Sequence, residues 1–298
     1  MKPSVKRFFA KRQERGLALV SVLWALSILS LIAASMLSSS VLSYRMVRND
    51  WARARGESLA EAAINRTILA LTDARAEKRC RIDGVPQELA LGDTHVQVLV
   101  QDEYGKIDLN AADTTLLKAL LESAGVPFED ASKLAARIAD WRTPYDEKDQ
   151  DTANIGGDNP ANTGYRARNA AFQSVDELKL VAGMTPQLFA RIEPALTVYS
   201  KQSEVDQDTA PREALLALPG MDARKVDDII AARLNPAGSL TVENAGAHHG
   251  TLDMSAPPNG RVFSISVDVQ GINRHVSEDV VIQLTGDPAR PYLVLAWK

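Results

Sequence analysis

Between Arg15 and Arg45 the sequence carries no charged side chain, and residues 17–37 read LALVSVLWALSILSLIAASML. About 20 successive apolar residues are what an α-helix needs to cross the hydrocarbon core of a bilayer. A charge-free run of this length is therefore expected to span a membrane. The segment before it is basic. Lys2, Lys6, Arg7, Lys11, Arg12 and Arg15 against Glu14 give +5, which leaves −9 for the rest of a chain whose formal charge is −4. Basic flanks stay cytoplasmic, so residues 1–16 are expected inside and the bulk of the chain across the membrane. A cleaved secretory signal is the other reading, but its apolar region is usually roughly 7–15 residues and closes on a small-residue cleavage site. Here helical sequence continues instead. Ser21, Ser27, Ser30 and Ser35 do not forbid insertion, because a helical serine can return its hydroxyl to its own backbone carbonyl.

Past residue 43 the pattern turns amphipathic without a break. Met46, Ala54, Leu59, Ala63, Ile64, Ile68 and Leu71 recur at helical steps, with Arg48, Asp50, Arg53, Glu57 and Glu61 between them. No proline occurs from residue 17 to residue 85, so one helix is expected over 17–73. At 1.5 Å per residue it would be about 80 Å long. With 45% hydrophobic and 24% charged residues the remainder has the composition of a folded protein, not a disordered one. The −9 body argues against a protein that coats nucleic-acid phosphates. A single cysteine, Cys80, excludes an intrachain disulfide, and four histidines offer zinc or haem few ligands.

Residues 95–100 (HVQVLV) read as a strand with Val96, Val98 and Val100 on one face. A turn and a short strand follow through residues 102–110. The period then becomes helical, with Leu116, Leu117, Leu120 and Leu121 on one side and a second helix through Leu134, Ile138 and Trp141 after Gly125-Val126-Pro127. A third helix over 175–180 is expected to start at Ser174 in a capping box with Glu177. Further helices are expected over 186–195, 211–218 and 223–234. Strand patterns resume at 262–269 (VFSISVDV), 276–284 and 292–297, the first two joined by a hairpin-length loop.

Two stretches repeat. Residues 109–117 (LNAADTTLL) echo 208–216 (DTAPREALL), and Leu180-Val181-Ala182-Gly183-Met184 echoes Leu218-Pro219-Gly220-Met221. These read as helix-hairpin-helix-like units, whose glycine turns in DNA-binding versions offer backbone N–H groups to a phosphate. A membrane-anchored periplasmic DNA-binding or uptake protein is therefore an alternative. The turns argue against it, since no lysine cluster flanks Gly183 and Asp222 puts an acid where a phosphate would sit.

The leader Lys11-Arg12-Gln13-Glu14-Arg15-Gly16 before an uninterrupted apolar helix resembles the class III signal of type IV pilins and pseudopilins. That resemblance implies cleavage between Gly16 and Leu17 by a prepilin peptidase, methylation of the new amine, and retention of the helix as membrane anchor and then fibre core. A glycine before the cut leaves room at the scissile bond. Most such subunits carry a glutamate at the fifth position after the cut, where this chain has Ser21. Its lack fits a subunit at a fibre end, and equally sequence drift. The ordered anchors Asp102-Glu103-x-Gly105-Lys106-Ile107, Leu109-Asn110, Ile138-x-Asp140-Trp141-Arg142, Tyr165-Arg166-x-Arg168-Asn169, Phe172-x-Ser174-Val175-x-Glu177-Leu178 and Gly183-Met184-Thr185 resemble type II secretion system protein K, a minor pseudopilin family. The resemblance implies an α+β fold. A long N-terminal helix packs on a small antiparallel pilin-like sheet, with an inserted all-α, helix-hairpin-helix-like domain. The expected layout is a cleaved leader at 1–16, a membrane or fibre-core helix at 17–43, pilin-like parts at 44–102 and 241–298, and the insert at 103–240. The implied function is a subunit of the pseudopilus tip complex that initiates assembly and caps or limits the fibre during export of folded proteins across the outer membrane. Its partners would be minor pseudopilins I and J, other pseudopilins of the fibre, the peptidase and the inner-membrane assembly platform. No nucleic acid is expected. The chain would be single-pass in a bacterial inner membrane, its C-terminal domain periplasmic.

The acid-rich stretch after Arg142 holds Asp146, Glu147, Asp149, Asp151 and Asp158. Asp146, Asp149 and Asp151 are spaced so that one loop turn brings them to a single hard dication, and the resemblance makes calcium plausible as the one cofactor; a solvated acidic loop is the other reading. No organic cofactor and no catalytic constellation are expected. Cys80 between Arg79 and Arg81 has neighbours that would lower its pKa, but no base near it in sequence; His248-His249 reads as exposed surface.

Overall fold

The computed structural model describes residues 14–73, 80–144, 168–234, 260–269 and 275–298. The chain divides into two compact units, Met1–Ser58 with Gly271–His275, and Leu59–Gln270 with Val276–Lys298. The expected helix is present and uninterrupted as α1 (Glu14–Thr72). In the first unit it carries the apolar run. In the second, Ala60, Ala63, Ile64, Thr67, Ile68 and Leu71 form a buried stripe at the three- and four-residue steps of one helical face. Thr67 is tolerated there because its hydroxyl donates to the Ala63 carbonyl at 2.8 Å. Burying Ile64, Ile68 and Leu71 contributes about 1.5–3 kcal/mol each.

The same unit holds a five-stranded antiparallel sheet of order β1-β2-β5-β6-β7, and Arg66 of α1 donates to the Ala90 carbonyl of β1 at 3.2 Å. The strands are β1 (Gln87–Leu91), β2 (Thr94–Asp102), β5 (Val262–Val269), β6 (Val276–Asp287) and β7 (Arg290–Trp297). Pairing of Val96 with Val269, Val98 with Val267 and Val100 with Ile265 sets the inward face of β2 and β5. Val280 and Ile282 continue that face on β6, and all of these side chains are buried. Strand β1 is absent from the sequence expectation. Its residues, QELAL, alternate only between half-buried and exposed and include none of the β-branched types that mark a strand.

Between β2 and β5 lies a helical segment with its own core, in which Leu117, Leu121, Ile138, Phe172, Phe189 and Leu215 are buried. Its elements are α2 (Thr114–Ser123), α3 (Phe128–Arg142), α4 (Pro186–Ile192), α5 (Arg212–Leu216) and α6 (Ala223–Leu234). It also holds a two-residue parallel pairing of β3 (Ile107–Asp108) with β4 (Leu196–Thr197). The stretch Val175–Leu180 is a 3-10 helix, not an α-helix, and Ser174 makes no side-chain cap there. The expected capping box is therefore corrected. The Glu177 carboxylate is drawn to the Arg168 guanidinium at 2.6 Å and accepts from the Gln173 N–H at 3.2 Å.

The sequence anchors are the residues that hold the insert to the sheet and to itself. Asp108 is buried and accepts from the N–H groups of Asn110, Ala111 and Lys201 at 2.7, 3.1 and 2.8 Å. Asn110 and Phe172, 62 residues apart, exchange two hydrogen bonds of 3.0 and 2.7 Å. Arg142 donates to the carbonyls of Leu109 and Ala112, both at 2.6 Å. Gly105 sits where the chain leaves the sheet, and a Cβ there would meet the Thr209 backbone at 2.6 Å. Gly105→Ala is expected to destabilise the chain by about 1–3 kcal/mol through overpacking, measured by urea unfolding in detergent.

Candidate assembly surface

Among the described residues the largest exposed apolar surface belongs to α1. Residues Ala18–Met36 form a 19-residue stretch long and apolar enough to cross a membrane, none of it buried. Leu23, Trp24, Leu29 and Leu31 are 57–73% exposed. The serines behave as expected of an apolar surrounding: Ser21 donates to the Ala18 carbonyl and Ser27 to the Leu23 carbonyl, each at 2.9 Å. Ser21 thus consumes its hydrogen within its own helix and brings no charge to the stretch. Gly16 and Leu17 lie in the first turns of α1.

A second apolar surface is the free edge of the sheet. Strand β7 pairs with β6 on one side only. Leu293, Val294, Leu295 and Trp297 are each 42–51% exposed. The register slips between the Val281–Ala296 and Ile282–Val294 pairs, so Leu295 is bulged out of the ladder. A bulge on an outer strand discourages indiscriminate pairing with other edges.

Among the described residues the insert has three helix-glycine-helix turns. Gly125 joins α2 to α3, Gly183 joins the 3-10 helix to α4, and Gly220 joins α5 to α6, at φ of +90°, +94° and +75°. Only glycine adopts this backbone at no steric cost. The first two turns clamp each other. Arg137 of α3 donates to the Ala182 carbonyl at 3.1 Å, and Arg191 of α4 donates to the Ala124 carbonyl. At the third, Lys225 donates to the Gly220 carbonyl at 2.8 Å and Asp222 accepts from the Lys225 N–H at 2.9 Å. Thr185 accepts the Leu188 N–H in the same way. Arg137, Arg191 and Lys225 are thus bonded to carbonyls of the turns themselves, an arrangement suited to internal packing.

Asp146, Asp149 and Asp151 lie outside the described residues, as do Tyr165, Arg166, His248 and His249. The stems of the acid-rich stretch are nevertheless joined: Ala170 N–H donates to the Trp141 carbonyl at 3.0 Å and Asn169 to the Thr143 carbonyl at 3.2 Å. Trp141 stacks on Phe172 beside them, with centroids 6.0 Å apart. Among the described residues no group of three His, Cys, Asp or Glu side chains is placed to hold a metal. The expectation of a lowered Cys80 pKa is corrected. Burial pushes this thiol up to about 11, and Arg81 is committed to Asp83 at 2.6 Å.

The family model described as type II secretion system (T2SS), protein K, matches residues 95–201. Type II secretion system protein K of Pseudomonas aeruginosa is 25% identical over 251 residues, covering 75% of this chain and 73% of the relative. The protein of the same name from Klebsiella pneumoniae is 26% identical over 233 residues, covering 69% and 70%. A chain in the solved GspK-GspI-GspJ complex of the enterotoxigenic Escherichia coli type 2 secretion system matches at 18% identity. That match covers 83% of this chain and 94% of the other, with a TM-score of 0.49.

If the two arginines clamp the hairpins reciprocally, Arg137→Ala and Arg191→Ala should each destabilise the insert by about 1–3 kcal/mol, because each leaves a carbonyl unpaired. The double variant should lose less than the two single losses added, a coupling readable from urea unfolding of all four chains.

Proposed function

We propose, from the match of residues 95–201 to the protein K family model, that this chain is a minor pseudopilin of that family at the tip of a type II secretion pseudopilus. In this reading the prepilin peptidase cuts between Gly16 and Leu17. The helix from Leu17 stays in the inner membrane as a single-pass anchor, with residues 1–16 cytoplasmic and the folded bulk periplasmic. One observation carries it. A single helix, Glu14–Thr72, joins a charge-free, fully exposed stretch to a stripe buried beside its own sheet. Such a helix cannot be excised without removing the stripe buried beside its own sheet, yet its first half has no covering among the described residues. Lipid satisfies that half first, and the like helices of sister subunits satisfy it in the fibre.

The absent glutamate supports a terminal place. A carboxylate in an apolar fibre core is tolerable only when paired, and Ser21, bonded to its own helix, offers no charge to an amine of a subunit beyond it. The sequence resemblance supports minor pseudopilins I and J as neighbours and the inner-membrane assembly platform as the site of assembly. The role is structural: the chain starts the fibre and, by the bulk of its insert at 103–240, limits growth.

We also propose that Asp146, Asp149 and Asp151 bind calcium. The joined stems at Trp141–Ala170 and Thr143–Asn169 support this, since they tie together the two ends of a stretch rich in carboxylates, whose mutual repulsion a hard dication relieves.

Gly16→Leu is expected to block processing, so that only the longer form accumulates in membranes on immunoblots; wild-type amounts of the shortened form would refute the cleavage. Chelation with EDTA should lower the melting temperature, and calcium should restore it. An unchanged transition would remove the metal from the account.

A further inference from the structure

Where the insert leaves the sheet, an odd number of buried charges meets. Asp102, at the end of β2, is fully buried and its Oδ1 accepts the Tyr104 N–H at 2.9 Å. Its Oδ2 lies 2.9 Å from Nε of Arg261, just before β5, but off the N–H direction, so the contact is an ion pair without an aligned hydrogen bond. The same guanidinium reaches Asp206 of the insert at 2.5 Å and lies 4.9 Å over the Tyr104 ring. Glu103, also buried, accepts from Lys106 at 2.7 Å and from Ser264 at 2.6 Å. Three carboxylates therefore face two cations. Arg233 of α6 adds a further positive charge that attracts Asp206 and Asp208 and so offsets Asp206 in part, leaving Asp102 as the carboxylate that depends on Arg261. Arg81 is taken by Asp83, and Arg233 of α6 donates to the carbonyls of Ala210 and Gln207.

We propose that a proton on Asp102 tightens the joint between the sheet and the helical insert, by leaving Arg261 wholly to Asp206. Without the proton, one guanidinium divides itself between two carboxylates held at its Nε and its outer nitrogen, and a buried charge goes uncompensated. Asp102 is placed to be the group that takes up the proton. Glu103 has both a lysine and a hydroxyl on one oxygen, and Asp206 is less buried. Burial is the main cause that pushes Asp102 from its ordinary 3.8 up to about 7. Arg261 and the Tyr104 N–H oppose the rise, and Asp206 and Glu103 add to it.

The sign follows. Between about pH 4 and 7 the folded chain holds a proton that the unfolded chain has released, so stability present at the acid end is lost as pH rises through that window. A single proton changes the folding constant by at most about tenfold per pH unit.

The test is urea unfolding of the full chain in detergent from pH 5 to 8, with Asp102→Asn beside the wild type. The wild-type folding constant should fall with rising pH more steeply than that of the variant, by up to tenfold per unit below pH 6.5. Equal slopes would overturn the proposal. Carboxyl-carbon NMR of the wild type gives a readout independent of whether the variant folds. A midpoint for Asp102 near neutrality, lowered in Asp206→Asn, is the expected result. A midpoint below pH 5, or one indifferent to Asp206, is the contrary one.

Discussion

The pairing of β2 with β5 is the constraint on which the rest depends. Residues 94–102 and 262–269 are far apart in sequence and adjacent in the sheet. Closing so long a loop costs entropy that only a large shared apolar face can offset. Val96, Val98 and Val100 against Ile265, Val267 and Val269 supply it, with the α1 stripe buried in the same unit. The described residues between the two strands form a module that must bury itself, and it does so around Leu117, Ile138 and Phe172.

The module's attachment explains why several polar residues are buried. Leaving a sheet strand for a helical region exposes backbone groups that must be bonded elsewhere. Asp102, Asp108, Asn110 and Arg142 bond them, and Gly105 lets the Thr209 backbone approach. What looks in sequence like a scatter of polar residues is one joint, built from the ends of two strands, the start of the insert and the segment before α5. The charge imbalance at Arg261 is a consequence of packing three acids into the same joint.

Much of this was legible in the sequence where periodicity is strong. The charge-free run and the stripe after it gave one helix, and alternating valines gave β2 and β5. The glycine at each insert turn marked a break between helical patterns. What stayed hidden depended on partners distant in the chain. Strand β1 is held by β2 and not by its own composition, and the two-residue pairing of Ile107 with Leu196 is too short for any period. Ser174 and Glu177 have capping-box spacing, but Arg168 competes for the carboxylate. Cys80 is flanked by arginines in sequence, while burial, which no local window reveals, sets its protonation. The exposed apolar half of α1 was legible because a lack of charge survives folding. The acid-rich stretch lies outside the described residues, and only its joined stems are seen.

The central claim is that the apolar half of α1 is kept and only the basic leader is lost. Mass spectrometry of the chain isolated from native membranes tests it most directly. The account predicts an amino terminus at Leu17 bearing one added methyl group. A chain that still begins at Met1, or one that begins beyond Met36, would contradict it.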